Sequence, residues 1–421
     1  MQPVLTGVRP AFTRVRPVLI GVRPVIIGAA VFAAVFMLLD LNALHALRAN
    51  QNTGLYLQSL IDFVRTGSTF DQPDGKPHLL VHDQWLVLAL APLVALWPRP
   101  EMLIVAQALA LAAAALPLYF LTRTFGAEAR PAALLALAFL ISTSLQGYAY
   151  DGFVPEDFIP LLWCCLALAL AKKSWWATAL VAQLLLGVKE DEAWFLGWFG
   201  VVAFFFYERK LGLTLFALAL LNGLGYYEVA HSMGYAPERP RYGLIDREWP
   251  QQLGFLVEVL VPLAFAPLFL GRRLLIALPL FAELFFTQDR TYPLYHSGSY
   301  YTAPLVTLAA IGSALAIARR PTLARWALAG AVLMALFVNP TDLRVGRWTW
   351  FSPDPQYAVA RSWAGGQKPV DFPCPDTGAW TVASPDLQAR LVDCGKPTSR
   401  PPRPAWKDVP LRSDAAWTGG P

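Results

Sequence analysis

The chain of 421 residues is 56% hydrophobic and 13% aromatic but only 15% charged, with a mean hydropathy of +0.44. A soluble domain carries about 25% charge, so this surface is too apolar to face water alone, and an all-α polytopic membrane protein is expected. The net charge of +5 sits mainly at the ends of apolar runs, where Lys and Arg anchor topology, so no nucleic-acid partner is expected.

The first residues repeat with a period of seven: Gly7-Val-Arg-Pro10, Arg14-Val-Arg-Pro17 and Gly21-Val-Arg-Pro24. Proline this frequent is expected to forbid a helix, so residues 1–24 read as a basic cytoplasmic arm. Residues 25–339 read as the transmembrane domain. Val25 to Leu41 is long enough to span and reads as an uncleaved signal anchor. A long polar loop follows, within 42–100, and Gly54 to Val64 has the apolar spacing of a helix lying at the interface. Trp85 to Trp97 is too short to cross and suits a re-entrant or interfacial helix.

Beyond it, basic residues fall in every second gap: Arg123 and Arg130; Lys172 and Lys173; Arg209 and Lys210; Arg272 and Arg273; Arg319, Arg320 and Arg325. Lys and Arg stay with the cytoplasmic side, so the alternation predicts about eleven spans, with the N-terminus inside and the C-terminus outside. From Pro340 to Pro421 the chain holds 13 of its 35 prolines. Residues 340–421 therefore read as an extracytoplasmic, passive tail, with a small ordered part around Cys374 to Cys394, between which a disulfide is permitted, and a disordered end from Ser399.

The same alternation places most loop acids on the outer face. Lys189-Glu190-Asp191-Glu192 joins two apolar runs with four consecutive charges. Charges at a membrane edge are costly against lipid and should face protein or a wet cavity. Val154-Pro155-Glu156-Asp157 has the form of a helix start. His82-Asp83 stands at the mouth of the short Trp85 helix. No phosphate-binding glycine loop, nucleophile elbow or zinc-protease motif occurs, so nucleotide, serine and zinc chemistry have no support.

Together these pieces resemble a bacterial family of multi-spanning proteins of unknown function that is grouped with the GT-C glycosyltransferases. Asn52-Thr-Gly-Leu-Tyr-Leu-Gln58 is similar to its F-D-x-G-I-F-D-Q segment, His82 with Leu90-Ala-Pro-Leu93 to its G-D-H-F-S-P helix, and Phe153-Val-Pro-Glu156 to D-F-H-P-E. Val188-Lys-Glu-Asp191 matches V-K-E-D, and His296 to Pro304 is similar to a late H-Y-x-A-P-like element. The resemblance implies a GT-C-like bundle in the bacterial plasma membrane that transfers a sugar from a polyprenyl-phosphate donor to an acceptor it does not identify. It implies a base in the first outer loop and cations at the leaving phosphate. Asn52 stands where the family has its first Asp, and Asn cannot act as a base. Asp40, Asp83 and Glu190 are the candidate catalytic residues instead. Asn52, His82, Glu156, Lys189, Asp191, Arg290 and His296 are the candidate substrate contacts. No cofactor is specified, and a divalent cation is left open. The alternatives are a protein that binds a lipid-linked glycan without chemistry, and a transporter or flippase using Glu283.

Overall fold

A computed structural model describes residues 12–71, 75–150, 152–235, 249–286, 298–338, 354–364, 370–373, 377–384 and 389–392. It is built almost wholly of helices. Helix α1 (Phe12–His45) leads into the first loop. That loop carries α2 (Gln51–Thr66), a small antiparallel pair of β1 (Phe70–Asp71) and β2 (Lys76–Pro77), and an apolar 3-10 turn that continues into α3 (Ala91–Leu96). The bundle follows as α4 (Pro100–Ala113), α5 (Ala115–Thr124), α6 (Ala129–Ile141), α7 (Thr143–Tyr150), α8 (Ile159–Ala171), α9 (Trp175–Leu186), α10 (Asp191–Phe206) and α11 (Arg209–Ser232). Beyond these lie α12 (Trp249–Leu260), α13 (Leu278–Phe286), α14 (Ala303–Arg319) and α15 (Leu323–Phe337).

The proline repeat does not keep the arm out of a helix. Helix α1 begins at Phe12 and runs on through Pro17 and Pro24. These prolines recur every seven residues, about two turns, so their missing donors fall on one side of the helix. Proline is tolerated in membrane helices where neighbours satisfy the freed carbonyls.

Among the described residues, four stretches are long and apolar enough to cross a membrane: Gly21–His45, Pro100–Thr124, Arg209–Ser232 and Tyr300–Arg319. Two bent pairs raise the number to six. One is Ala129–Ile141 with Thr143–Tyr150, bent by 46°, and the other is Trp249–Leu263 with Ala266–Phe286, bent by 117°. The expectation of about eleven counted further apolar runs that form shorter helices. Helix α8 has 13 residues, α9 has 12 and α15 has 15, against about 20 for an untilted crossing.

Among the described residues, a minor apolar cluster at Ala138, Ala327 and Ala331 and two large cores hold the helices together. The larger packs α1, α5, α6, α8 and α14 around Tyr119, Phe139, Tyr148 and Trp163. The smaller lies over the first loop, where α2, the short Trp85–Leu96 helix and the start of α4 meet the C-terminal segment. That segment contributes α16 (Pro355–Ala364), α17 (Thr377–Ala383) and the parallel strands β3 (Val370–Pro373) and β4 (Ala389–Val392). Trp380 is wholly buried against Gly54. A Cβ at Gly54 would lie 2.5 Å from the Trp380 ring, so only glycine admits it. Thr381 donates from its hydroxyl to the Asn50 carbonyl at 3.2 Å. Arg361 pairs with Glu101 at the start of α4. The described part of the tail is therefore docked on the first loop. Cys374 and Cys394 lie outside the described residues.

The helix directions sort the charges. The starts of α8, α10 and α14 meet, since Ile159, Asp191 and Pro304 line one cleft. From there each helix runs to a basic end at Lys172, Arg209 or Arg319, about 20–25 Å away. At that far end the Arg272 guanidinium lies 5.6 Å from the Phe206 ring and Arg320 lies 4.4 Å from the Phe269 ring.

Candidate functional site

Helix α9 ends at Leu186, and Gly187 to Glu190 turn the chain into α10. Trp85 covers this turn so closely that a Cβ at Gly187 would lie 2.3 Å from its indole. The Leu86 N–H donates to the Gly187 carbonyl at 2.8 Å. These contacts fasten the mouth of the first-loop helix to the charged joint and bring His82 and Asp83 to Glu190. The His82 ring donates through Nδ1 to Glu190 Oε1 at 2.8 Å, and the Asp83 backbone N–H donates to Glu190 Oε2 at 3.0 Å.

The Glu156 limb enters from the other side. The 3-10 turn Pro155–Phe158 starts with proline at its first position, where the missing N–H costs nothing. Asp157 caps this turn, its Oδ2 accepting from the Val154 N–H at 3.1 Å. That frees Glu156 to reach Lys189, whose Nζ lies 3.5 Å from Glu156 Oε1 and 3.1 Å from Asp191 Oδ2. The ammonium also stands 4.1 Å from the centre of the Tyr301 ring. Glu156, Lys189, Asp191, Glu192, Glu283, Tyr300 and Tyr301 all line one narrow cleft, with room for about one water molecule.

The carboxyls here are not alike. Burial raises Asp83 to about 7, and the neighbouring Glu190 charge adds to the shift. Burial also acts to raise Glu190, but the His82 hydrogen bond and charge, with Lys189, outweigh it and hold Glu190 below the usual carboxylate range. Burial raises Glu156 more than Lys189 lowers it. Asp191, the nearer acid, is thus the main counter-ion of Lys189. Burial opposes the Lys189 charge, yet Asp191, Tyr301 and Glu156 keep the ammonium above its ordinary range. Acids in the first turns of α10 and of the Pro155 turn also face the positive ends of helix dipoles, which makes them cheaper to hold there.

Of the sequence candidates, His82, Asp83, Glu156, Lys189, Glu190 and Asp191 come together. Asp40 does not line the cleft. It is buried near the end of α1, between Phe36 of the large core and Leu44 of the small one. Asn52 sits in the first turn of α2, where its backbone N–H caps onto Asn50 at 3.0 Å. It is next to Thr53, whose hydroxyl accepts from the Phe153 N–H at 3.0 Å. Arg290 and His296 lie outside the described residues. Among the described residues no three His, Cys, Asp or Glu side chains are grouped to hold a metal ion.

Several members of the site carry no sequence signal. Gln84 is buried and central: its Oε1 accepts from the Tyr56 hydroxyl at 2.9 Å and faces His78 Nε2 at 2.9 Å, and its Nε2 donates to Glu156 at 3.5 Å. The other His78 nitrogen faces Asp71 at 3.2 Å. Glu192 takes a 2.9 Å bond from the Trp163 indole. Its place at the end of a four-charge run marked it as one of a group, and nothing in the run singled it out.

Residues 44–224 match the family model described as "Predicted membrane protein (DUF2079)". This is a membrane protein. The match runs from the end of α1 through most of α11 and takes in His82, Asp83, Glu156 and Lys189 to Glu192, whereas Asp40, Glu283 and Tyr301 lie outside it. No curated protein matches the chain.

Proposed function

We propose that this protein is a GT-C-like glycosyltransferase, moving a sugar from a polyprenyl-phosphate donor to an acceptor hydroxyl. The observation that carries the reading is the pair of neighbouring carboxyls held apart in acidity, Asp83 near 7 and Glu190 well below the usual range. Such a separation assigns an acid–base pair, and a group that titrates near the working pH is suited to take up a proton.

In this reading Asp83 accepts the proton of the acceptor hydroxyl. The acceptor oxygen bonds to the sugar carbon as that carbon's bond to the phosphate oxygen breaks, and polyprenyl phosphate leaves. Glu190 stays ionised, orients His82 and keeps Asp83 basic. Lys189 exchanges part of its pairing with Asp191 for the charge on the leaving phosphate. Glu156 and Asp191 meet sugar hydroxyls, and Arg290 and His296 remain proposed phosphate contacts. The site faces the outside of the bacterial plasma membrane, the basic ends face the cytoplasm, and the shorter apolar helices also cross, bringing the spans toward eleven.

A second reading is favoured by one feature. Lys189 is already satisfied by Asp191, Glu156 and Tyr301, as in a site that binds a lipid-linked glycan and does no chemistry. Purified protein given a polyprenyl-phosphate sugar and a broad acceptor panel separates the two. Release of polyprenyl phosphate that falls sharply in Glu190→Gln supports the transferase. Saturable binding with no release favours the binding protein.

A further inference from the structure

Gln84 stands between two titratable groups from different segments. On one side its Oε1 lies 2.9 Å from His78 Nε2 and accepts from the Tyr56 hydroxyl at 2.9 Å. On the other its Nε2 donates to Glu156 Oε1 at 3.5 Å. Gln84, His78 and Glu156 are all buried. So is Asp71, whose Oδ2 lies 3.2 Å from His78 Nδ1.

Donor counting places the protons in this arrangement. An amide carbonyl only accepts, so His78 Nε2 carries a hydrogen. An amide nitrogen only donates, so Glu156 Oε1 is bare. The Asp71 carboxylate favours a hydrogen on Nδ1 as well, which makes His78 an imidazolium.

A neutral Glu156 needs the opposite arrangement, and burial raises Glu156 toward that form. Its other oxygen, Oε2, is closed to solvent and has no hydrogen-bond partner among the described residues. A proton on Oε2 would find no acceptor. A proton on Oε1 points at Gln84 and finds an acceptor once the amide turns over. The last torsion of glutamine is two-fold, so the turn exchanges the carbonyl and amino ends with little change of shape. The amino end then faces His78, whose Nε2 has to accept and so gives up its hydrogen. The Tyr56 hydroxyl fits either end, since it both donates and accepts.

We infer that Gln84 is a positioning residue that ties the proton of Glu156 to the proton of His78 Nε2, so that the two atoms together hold one. As the Glu156 O–H breaks, an N–H forms at His78, and the pair releases no net proton. The inference holds whatever reaction the site performs. Lys189, Asp191, Glu192, Glu283, His82 and Glu190 also act on Glu156 or line its cleft, and the His82 ring lies 5.6 Å from that of His78. None of these side chains bonds the Gln84 amide, so they set where Glu156 titrates and not the sense of the His78 response.

The test is the nitrogen NMR spectrum of the imidazole rings in the full chain in detergent, titrated from about pH 4 to about pH 9. The chain has 5 histidines, and His78→Asn identifies the signal. In the parent, His78 Nε2 should gain its hydrogen as pH rises, the reverse of an ordinary histidine. Glu156→Gln, which removes the titrating partner, should abolish that gain. Gln84→Met, which keeps the bulk and removes the amide, should restore the ordinary sense. If Gln84→Met does not fold, the parent and Glu156→Gln decide. An ordinary titration of His78 in the parent, or an Nε2 that keeps one state at every pH, overturns the inference. A reversed response that survives in Glu156→Gln or in Gln84→Met overturns it too.

Discussion

Glu190 accepts from the backbone N–H of Asp83 at 3.0 Å, so the charge of one acid is fixed beside the carboxyl of the other. The contact is possible because Trp85 and Leu86 clamp the first loop onto Gly187. It converts two residues that are distant in sequence into a coupled pair with opposite proton affinities.

That pair predicts the pH dependence of stability. The Asp83 pKa is raised, so its neutral form favours the folded state. Its contribution is full below the unfolded value of about 3.9 and is lost as pH rises through about 7. The Glu190 pKa is lowered, so its contribution is present above the unfolded value of about 4.3 and is lost only as pH falls below that. Between about pH 5 and about pH 8 the Asp83 part changes, and Glu156, which burial also raises, changes in the same direction. The unfolding temperature in detergent should therefore fall across that window, and Asp83→Asn should flatten the fall. An identical slope in the variant would remove Asp83 as its source.

Lys189 should be costly to neutralise. Lys189→Met leaves Glu156 and Asp191 facing each other in a largely buried place, and breaking such a pair from one side costs about 3 kcal/mol. Adding Glu156→Gln should return part of the loss, because the stranded charge is then gone. Chemical unfolding of the single and double variants measures both steps. A double variant weaker than the single by the full cost of Glu156→Gln would mean the two residues do not interact.

The docked tail makes a prediction of its own. Trp380→Ala should destabilise the first loop by about 3–5 kcal/mol, the usual cost of emptying a buried aromatic site. Gly54→Ala should cost about 1–3 kcal/mol by overfilling the same place. Hydrogen exchange should quicken in α2 for both variants. Unchanged protection there would mean that the C-terminal segment does not brace the loop.

The charged joint was legible in the sequence because four consecutive charges between apolar helices have to face protein or water. The alternation of basic gaps led to the expectation that it shares a face with Glu156, and Lys189 lies 3.5 Å from Glu156. Gln84, Tyr56 and Trp163 were not legible, since an amide, a phenol and an indole look like ordinary loop or core residues until their partners are known. Asp40 misled because its position after an apolar run says nothing about which core the helix end enters. The arm was misread because proline frequency ignores that prolines spaced by two turns share one face. An ordered part of the tail was expected, but its seat on the first loop was not legible, because one tryptophan fitted to one glycine leaves no periodic trace.

The most direct test of the account is the release of polyprenyl phosphate from a polyprenyl-phosphate sugar, followed against pH in the parent protein and in Asp83→Asn. The account predicts a rate that rises as Asp83 loses its proton near 7 and a fall of about a hundredfold in the variant, the scale of a lost general base. No release from any sugar donor, or release with the same rate and pH profile in Asp83→Asn, would contradict it.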